Sequence, residues 1–363
     1  DLVARSGLES APDDLHRPSV DDLVLPCPEC GGDARRVPDV LDVWFDSAVA
    51  SWHSCDALPG EDSTPAGWPA DLVVEGQDQV RGWFLMQLYL GVLLTDEVPY
   101  ERVLMHGFAL LDGEPMSKSR GHVLRPPDVV DEHGRDALRC HLLSHAQQEQ
   151  DVSLRSDLSG VEAMRDRLDV VWNTVRFATT YLAADGVTAT PALADECTAA
   201  EARTPLDRWV LSRLAAVVED STTAFQDLRP NDALTATLDF LVEDVSRYYV
   251  QSVRDRVWTT DATASKAAAY DTLGTVLHAS VRLLAPFAPF LAERLSDALD
   301  GDALTVHATD WPTLDALGFE GVRDAGLEAD VAVLRDVEEA VSRARQQAGR
   351  KLRWPVPEVV LEV

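Results

Sequence analysis

Residues 72–84 read Leu-Val-Val-Glu-Gly-Gln-Asp-Gln-Val-Arg-Gly-Trp-Phe, and this stretch decides the fold class of the first part of the chain. Its apolar start, Leu72 to Val74, predicts a short buried strand that ends at Glu75-Gly76. The residues after it predict a helix whose apolar face carries Val80, Trp83, Phe84 and Leu88. A strand that leads directly into a helix is typical of a parallel α/β sheet, which binds ligands at the carboxyl ends of its strands.

The neighbouring segments repeat this alternation of strand and helix. Val103 to Leu110 predicts a second strand, interrupted at His106-Gly107, and a polar loop follows from Asp112 to Arg120. Asp136 is predicted to cap the N-terminus of a helix that carries Leu138, Leu142 and Leu143. We therefore predict an α/β domain over residues 38–150.

The rest of the chain has the 3.6-residue period of amphipathic helices. The period is clearest in three groups of apolar residues: Leu206, Trp209, Val210, Leu214 and Val217; Leu238, Leu241, Val242 and Val245; Leu273, Val276, Leu277, Val281 and Leu284. Residues 185–205 are rich in Ala, Thr, Pro and Asp and predict a linker. Several helices of this kind predict an all-α bundle after the α/β part.

Acidic residues dominate the charge of this 363-residue chain, with 62 acidic against 32 basic residues and a net charge of −30. An acidic surface ordinarily repels nucleic acid. Lysine occurs only at positions 118, 266 and 351, however, and an acid-rich, lysine-poor surface suits molar salt, where the Debye length is about 3 Å. We interpret the charge as a halophilic adaptation that leaves an RNA partner open.

Hydropathy and cysteine spacing indicate the compartment. No window has the roughly 18 consecutive apolar residues of a membrane helix, and no secretory signal opens the chain. Cys55, Cys140 and Cys197 are scattered, which does not indicate a disulfide framework. These features predict a cytoplasmic protein without a membrane partner.

Cys27-Pro-Glu-Cys30-Gly-Gly has the spacing of half a zinc knuckle. A closed zinc site needs four ligands, and the sequence offers no second pair of this spacing. The stretch is either a turn without metal or one half of a zinc site whose partner ligands lie elsewhere.

One of the three lysines stands out in the loop Met116-Ser117-Lys118-Ser119-Arg120-Gly121. A lysine between two hydroxyl groups suits a triphosphate, because the ammonium group can follow charge that develops on the β- and γ-phosphates. The alternative is a polar surface loop.

Two further stretches have the composition of a binding pocket. Glu75 to Gln79 offers carboxylate and amide groups for an ammonium group or ribose hydroxyls, although Asp78 could also serve as a helix cap. Asp39 to Ser47 sets aromatic beside acidic residues, which fits either a pocket wall or a core.

Taken together, these motifs resemble the second half of the catalytic domain of class I aminoacyl-tRNA synthetases, with Met116 to Ser119 in the place of the second signature motif. Trp44-Phe45-Asp46-Ser47 and residues 75–84 look most like the isoleucine-specific members. Trp172-Asn173-x-x-Arg176-Phe177 is similar to the start of their helical anticodon-binding domain. The motifs are strong over residues 38–177 and weaker afterwards.

The resemblance implies a domain organisation. It comprises a connective segment with the half zinc knuckle (1–37), the second half of a Rossmann-like nucleotide-binding domain (38–150), a connecting helix and linker (151–200), and a helical anticodon-binding domain truncated at its C-terminus (201–363). The family also has His106-Gly107-Phe108 and Asp136-Ala137-Leu138-Arg139 in the corresponding order.

The resemblance also implies a role for each site residue. Lys118, supported by Ser117 and Ser119, would contact the ATP phosphates as the catalytic group. The other residues implied to bind ATP or the adenylate are Glu75, Gly76, Asp78, Gln79, His106, Gly107 and Met116. Trp44 and Trp83 would border the isoleucine side chain, and Cys27 and Cys30 would hold Zn²⁺. Arg343, Arg345, Arg350, Lys351 and Arg353 form the densest basic stretch, which fits either tRNA phosphates or a solvated helix face.

The implied reaction activates isoleucine with ATP and Mg²⁺ and transfers it to tRNA(Ile), in an enzyme that is monomeric at full length. Some residues depart from the family pattern: Pro115 replaces a lysine, His122 an asparagine and Val80 a frequent histidine. The first signature, His-x-Gly-His, and the editing domain do not occur in the sequence. We therefore expect the C-terminal portion of a synthetase, with little activity alone. A valine-specific member and a truncated, non-catalytic tRNA-binding protein remain alternatives.

Overall fold

A computed structural model gives the fold and describes residues 13–14, 16–39, 42–54, 68–145, 147, 149–189, 201–300, 305–351, 354–356 and 358–360. The chain divides into two compact units, one that ends at Val103 and one that begins at Leu104. Each unit has more contacts within itself than with the other. The four domains expected from the sequence remain a prediction. Of the proposed linker, residues 190–200 lie outside the described part.

The N-terminal unit contains a hairpin and a strand–helix segment. Its strands are β1 (Val24–Pro26), β2 (Asp33–Arg35) and β3 (Val73–Gly76), and its helices are α1 (Val43–Ala48), α2 (Ala50–Ser54) and α3 (Trp83–Thr95), with a 3-10 turn over Gln77–Arg81. Strands β1 and β2 are antiparallel. The segment that leads into β3 runs parallel to residues 99–102, since Ala70 bridges Tyr100 and the Val73 N–H donates to the Arg102 carbonyl at 3.0 Å.

The predicted strand and helix around Glu75 are confirmed, but their predicted burial is partly wrong. Val73 is buried, whereas Val74 is 48% exposed and Val80 is 51% exposed. Helix α3 is apolar around its whole circumference, and only Phe84, Leu90 and their neighbours on one side are buried. Helix α3 packs against α1 and Pro99 on one side, and nothing described in this unit covers its other side.

The C-terminal unit opens with a small mixed sheet. Strand β4 (Val103–His106) begins at the boundary, and β5 (Ala109–Leu111) pairs antiparallel with β6 (Glu114–Pro115) and parallel with β7 (Val152–Leu154). The crossover from β6 to β7 carries α4 (Pro126–His133) and α5 (Arg135–His145). The interruption predicted at His106-Gly107 is confirmed.

Asp136 is not the helix cap that the sequence suggested. Helix α5 begins one residue earlier, and the Asp136 carboxylate accepts a hydrogen bond of 2.6 Å from the Leu291 N–H, 155 positions away. Burial raises the pKa of this carboxyl group. The side chain therefore joins α5 to the helical part, which no local pattern could indicate.

The predicted bundle is confirmed. Its helices are α6 (Ser159–Ala184), α7 (Pro205–Gln226), α8 (Pro230–Asp239), α9 (Val250–Trp258), α10 (Ala264–Leu284), α11 (Pro289–Asp300) and α12 (Ala325–Gln347). A π-helical segment, Phe240–Tyr249, makes α8 and α9 continuous. The periodic apolar residues form one core, in which Leu214, Leu241 and Leu277 are fully buried. Among the described helices, none is long and apolar enough to span a membrane.

A buried carboxylate, Asp207, joins four parts of the bundle. Its two oxygens accept hydrogen bonds from the Thr204 N–H at 2.7 Å and hydroxyl at 2.9 Å, the Tyr249 hydroxyl at 2.5 Å, and the Arg256 guanidinium at 2.8 Å. Arg256 continues to Ser265 at the start of α10. Burial raises the pKa of Tyr249, so the phenol remains protonated and donates.

Candidate functional site

Gln79 organises the turn between β3 and α3. Its amide nitrogen donates to the Asp78 carboxylate at 2.9 Å, and its amide oxygen accepts from the Trp83 N–H at 3.2 Å. The side chain that caps α3 is therefore Gln79, whereas the cap suggested for Asp78 is not formed. Glu75, near the end of β3, and Asp78, just after the strand, are both exposed. Gly76 is buried there in an extended conformation.

Trp44 and Trp83 are brought together in the same unit. Helix α1 begins at the Asp42 cap, which accepts from the Trp44 N–H at 2.8 Å. The Trp83 indole N–H donates to the Ser47 carbonyl of α1 at 3.0 Å. A Cβ placed on Gly82 would lie 3.3 Å from the Trp44 ring and 3.1 Å from the Gln79 amide oxygen. Gly82 is not among the site residues predicted from the sequence, although its place directly before Trp83 was the available signal.

His106 and Gly107 lie at the break between β4 and β5 in the C-terminal unit. The His106 Nδ1 lies 2.8 Å from the Gly107 carbonyl oxygen, and the Gly107 N–H donates to the Gln150 carbonyl at 3.1 Å. A Cβ on Gly107 would approach the Gln150 carbonyl to 2.4 Å. Glycine is therefore required here for close passage of two backbones.

Replacing Gly107 with alanine is expected to lower the free energy of unfolding by about 1–3 kcal/mol, because the backbone of residue 150 must shift. Thermal unfolding in molar KCl, followed by circular dichroism, measures this. Gly113→Ala is the comparison, since open space surrounds Gly113 and only its left-handed φ of +81° is strained. If Gly107→Ala has the same melting temperature as the unmodified protein, the close approach of the Gly107 and Gln150 backbones does not contribute to stability.

Lys118 lies at the tip of a short hairpin. Ser117 and His122 close this hairpin with two backbone hydrogen bonds of 2.7 and 3.1 Å, and the Gly121 N–H donates to the Lys118 carbonyl at 3.2 Å. The Ser117 and Ser119 hydroxyl oxygens are 3.2 Å apart. Gly121 has a φ of +69°. The turn exposes Lys118, and no described carboxylate forms an ion pair with it.

The base of this hairpin is fixed from two sides. The His122 Nε2 lies 2.9 Å from the Leu111 carbonyl oxygen, so the residue that replaces the family asparagine anchors the loop to β5. Met116 packs against the main core. Asp112 turns the chain from β5 to β6, and its carboxylate accepts from the Ser156 N–H at 3.0 Å, which lowers its pKa. Lys118 is thus exposed on a loop whose base is held in place.

Cys27 and Cys30 lie in the turn between β1 and β2. The Cys27 N–H donates to the Gly32 carbonyl at 2.7 Å, and the Gly31 N–H donates to the Cys27 carbonyl at 2.9 Å. Neither cysteine is in a disulfide. The described residues contain no group of three or more His, Cys, Asp or Glu side chains suited to a metal ion. The turn thus carries two thiols outside any disulfide, and the described residues around it do not form a group suited to a metal ion.

The basic stretch near the C-terminus makes contacts within the chain. Arg343 pairs with Glu339, and the Arg345 guanidinium donates to the Lys351 carbonyl at 2.8 Å and also to the Trp354 carbonyl. Lys351 lies 5.8 Å from the centroid of the Trp354 ring. Arg350 is exposed, and Arg353 lies outside the described residues. The contact proposed between this basic stretch and tRNA remains a prediction.

Known protein families match both parts of the chain. Residues 3–155 match the tRNA synthetases class I (I, L, M and V), and residues 207–361 match the anticodon-binding domain of tRNA ligase. Among solved structures, a LeuRS of Agrobacterium radiobacter K84 in a ternary complex with tRNA and LeuAMS has a TM-score of 0.63 and 26% identity, over 82% of this chain and 36% of that one. A Mycobacterium tuberculosis methionyl-tRNA synthetase shares the fold, with a TM-score of 0.55 at 23% identity, over 73% of this chain and 52% of that one.

Curated relatives match nearly the whole chain. It is 48% identical to an isoleucine–tRNA ligase of Halobacterium salinarum, over 99% of this chain and 34% of that protein. The isoleucine–tRNA ligase of Haloquadratum walsbyi is 47% identical, over 96% of this chain and 32% of that protein. The isoleucine–tRNA ligase of Methanosarcina barkeri is 41% identical, over 99% of this chain and 34% of that protein. The chain thus spans about a third of the length of these relatives. The haloarchaeal relatives agree with the halophilic interpretation of the acidic, lysine-poor composition.

The resemblance predicted from the motifs is therefore confirmed over both parts of the molecule. A synthetase domain precedes an anticodon-binding domain, and the relatives are 41–48% identical along 96–99% of the chain. The chain belongs to the class I tRNA synthetases.

Proposed function

We propose that the chain serves as the adenylate-forming and anticodon-binding portion of an isoleucine–tRNA ligase. The observation that carries this proposal is the 41–48% identity to isoleucine–tRNA ligases along nearly all of its length. The reaction has two steps. Isoleucine and ATP give isoleucyl-adenylate and pyrophosphate, and the isoleucyl group then passes to a terminal hydroxyl of tRNA(Ile).

In the first step, a carboxylate oxygen of isoleucine attacks the α-phosphorus of ATP. The bond from that phosphorus to the bridging oxygen breaks, and the electron pair leaves with pyrophosphate. Negative charge grows on the departing phosphates, so a cation close to them stabilises the transition state. Lys118 suits this role because its ammonium group is a compact charge on a flexible stem at an exposed tip. Ser117 and Ser119 hold the turn through their hydroxyl contact.

The N-terminal unit carries the groups proposed to bind the amino acid and the adenylate. Glu75 and Asp78 offer exposed carboxylates to the ammonium group of isoleucine or to ribose hydroxyls, and Gln79 fixes the turn between them. Trp44 lies close to Gly82, and the Trp83 indole N–H donates to the Ser47 carbonyl of α1; we propose that both rings border the isoleucine side chain.

Further residues proposed to bind ATP belong to the C-terminal unit. We propose that His106 and Gly107 approach the adenine and ribose, since His106 is exposed at the end of β4 and the backbone of Gly107 passes close to residue 150. Met116 supports the lysine loop from the core side. Magnesium would enter with ATP, bound to its phosphates.

Zinc, tRNA contact and location complete the proposal. Cys27 and Cys30 would provide two of four zinc ligands, with the others outside the described residues. The anticodon-binding domain would contact tRNA(Ile), in part through the basic stretch from Arg343 to Arg353. We propose a cytoplasmic enzyme that is monomeric at full length.

A domain replacement tests the proposal directly. The segment of the Halobacterium salinarum isoleucine–tRNA ligase that matches this chain, 34% of that protein's length, is replaced by this chain. Amino-acid-dependent ATP–pyrophosphate exchange of the hybrid enzyme is then measured in molar KCl. We expect isoleucine to support exchange within about tenfold of the parent enzyme. Valine, one methylene smaller, is expected to be poorer by about 10–200-fold, a limit for which isoleucine enzymes are the standard example.

The outcomes separate the competing functions. Preference for valine would support the valine-specific alternative. A folded hybrid that binds tRNA without any exchange would support a non-catalytic tRNA-binding protein. The chain alone serves as the control, and we expect it to show little exchange because loose geometry forfeits the in-line arrangement of ATP and carboxylate.

A further inference from the structure

A small cavity lies in the C-terminal unit, between the end of α10 and the turn that follows α11. Its volume is about 160 Å³, which is several times the room that one water molecule needs. Its lining includes three apolar residues and three polar ones: Ala285, Val306 and Trp311, and Arg282, His307 and Asp310. An apolar lining with a few polar groups is typical of sites for small molecules.

Arg282 differs from the other half-buried arginines that the structure describes in this unit. Arg345 donates to backbone carbonyl oxygens. The rest pair with carboxylates: Arg165, Arg167, Arg203, Arg213, Arg256 and Arg335. Among the described residues, the Arg282 guanidinium has neither an ion pair nor a hydrogen bond, although the chain has 62 acidic against 32 basic residues. A half-buried charge has lost hydration that a bound anionic group would replace.

Asp310 brings the opposite charge to the same cavity. This residue is exposed, and it forms no ion pair or hydrogen bond within the part of the chain that the structure describes. Its carboxylate is therefore more than 4.0 Å from the Arg282 guanidinium nitrogens, although both residues line one small cavity. A cation and an anion at separate points of the lining are complementary to a ligand that carries both charges.

The turn that carries Val306 and His307 is held in place by α11. The Val306 N–H donates to the Glu293 carboxylate at 3.0 Å, and the His307 Nε2 lies 3.2 Å from the Pro289 carbonyl oxygen. Because a carbonyl oxygen only accepts, Nε2 carries the proton, and Nδ1 of the neutral ring is left as an acceptor.

Two other parts of the lining are fixed as well. The Trp311 indole N–H donates to the Thr222 hydroxyl at 2.9 Å, and the indole packs edge-to-face on Phe225 with centroids 5.2 Å apart. The Arg139 guanidinium donates to the carbonyl of Pro286, which also lines the cavity, at 3.1 Å. The cavity is thus preorganised, which lowers the entropic cost of binding.

We propose that this cavity binds a free α-amino acid with an aliphatic side chain. The carboxylate of the amino acid pairs with the Arg282 guanidinium. Its ammonium group pairs with the Asp310 carboxylate and donates to the His307 Nδ1. Its side chain packs on Val306 and the Trp311 ring.

The size and charge of the cavity distinguish this ligand from others. The volume of about 160 Å³ lies below the range of about 300–1,000 Å³ that drug-sized ligands and cofactors occupy. A simple anion would face the Asp310 carboxylate, and a simple cation would face the Arg282 guanidinium, whereas a zwitterion matches both. The site goes beyond the proposed function, because both residues lie in the anticodon-binding match over residues 207–361.

Calorimetric titration of the full 363-residue chain with leucine, in molar KCl, tests the proposal. Leucine has the required groups and is not the proposed substrate, so the result does not depend on the proposed function. Isocaproate is leucine without its ammonium group, and isoamylamine is leucine without its carboxylate. We expect leucine to bind and each analogue to bind at least about tenfold more weakly, the usual loss when a hydrogen bond to a charged group is removed.

Two variants assign the two charges of leucine to their residues. Arg282→Gln should raise Kd for leucine at least about tenfold, should also weaken binding of isocaproate, and should leave that of isoamylamine unchanged. Asp310→Asn should weaken binding of leucine and isoamylamine and leave that of isocaproate unchanged. A merely structural role of either residue would not produce these opposite patterns.

Arg294→Gln is the matched control, because this exposed arginine on α11 does not line the cavity and its loss changes the net charge equally. It should leave Kd for leucine unchanged. Trp83→Ala should also leave it unchanged, since Trp83 belongs to the N-terminal unit.

Four results would overturn the proposal of an amino-acid site: no binding of leucine, equal affinity for isocaproate and leucine, an unchanged Kd in an Arg282→Gln variant that folds by circular dichroism, or loss of leucine binding in Trp83→Ala. The proposed function would stand in each case, because ATP–pyrophosphate exchange in the hybrid enzyme tests it separately.

Discussion

Replacing Lys118 with alanine is expected to lower the rate of isoleucine-dependent ATP–pyrophosphate exchange, in the domain-replacement enzyme, by about 100- to 1000-fold. This is the usual loss when one preorganised group that stabilises transition-state charge is removed. The effect should appear in kcat rather than in KM for isoleucine, because the charge on the departing phosphates develops only as the bond breaks. Pro115 stands in place of a second lysine, so Lys118 carries the loop's only ammonium group, beside the guanidinium of Arg120.

The position of Lys118 makes this effect separable from folding. The side chain is exposed at the tip of a hairpin that backbone hydrogen bonds between Ser117 and His122 close, so alanine should leave the melting temperature unchanged. Lys118→Arg should recover part of the rate, since it keeps the charge but not the compact ammonium geometry.

Arg155→Ala is the control for a general loss of positive charge, because this exposed arginine is paired with Asp157 at 2.8 Å and should not alter exchange. A loss of less than about tenfold for Lys118→Ala would show that the loop does not stabilise the leaving phosphates.

Replacing Asp207 with alanine is expected to lower the free energy of unfolding by about 3–5 kcal/mol, the cost of leaving a buried charge without its partner. Asp207 has no exposed surface and receives four hydrogen bonds, from Thr204, Tyr249 and Arg256. Its loss leaves the Arg256 guanidinium without its carboxylate partner and the Tyr249 hydroxyl without its carboxylate acceptor. It also removes the N-terminal cap interaction of α7.

Thermal and urea unfolding of the full chain in molar KCl measure the effect of Asp207→Ala. Glu243→Ala is the comparison, since Glu243 pairs with Arg247 at 2.6 Å on the surface of the same bundle. Exposed pairs of this kind are worth about 0.3–0.5 kcal/mol, and less in high salt. Equal stability of the two variants would contradict a structural role for the buried network.

Local patterns in the sequence predicted much of the fold correctly. The periodic residues around Leu214, Leu241 and Leu277 predicted the bundle, because a 3.6-residue period places them on one helix face wherever the helix packs. The strand–turn–helix at residues 72–84 and the break at His106-Gly107 were likewise predicted, since both depend on neighbouring residues.

The site could be predicted in part. The sequence identified Lys118, Glu75, Trp44 and Trp83 as candidates, and the structure brings the two tryptophans together around Gly82. The capping role of Gln79 was missed because asparagine and aspartate are the expected caps, and Asp78 stood beside it. The reach of Asp136 to Leu291 was missed because 155 positions separate them.

The sequence by itself determined the family, the helical period and the lysine loop, because each of these is carried by residues close together in the chain. Only the tertiary structure decided which charged groups are engaged and which are available. Arg343 and Arg345, prominent in the sequence, bind within the chain, whereas Arg254 lies between the rings of Phe177 and Trp258. The physical reason is that pairing and stacking depend on distances between helices, which the chemistry of one segment does not specify.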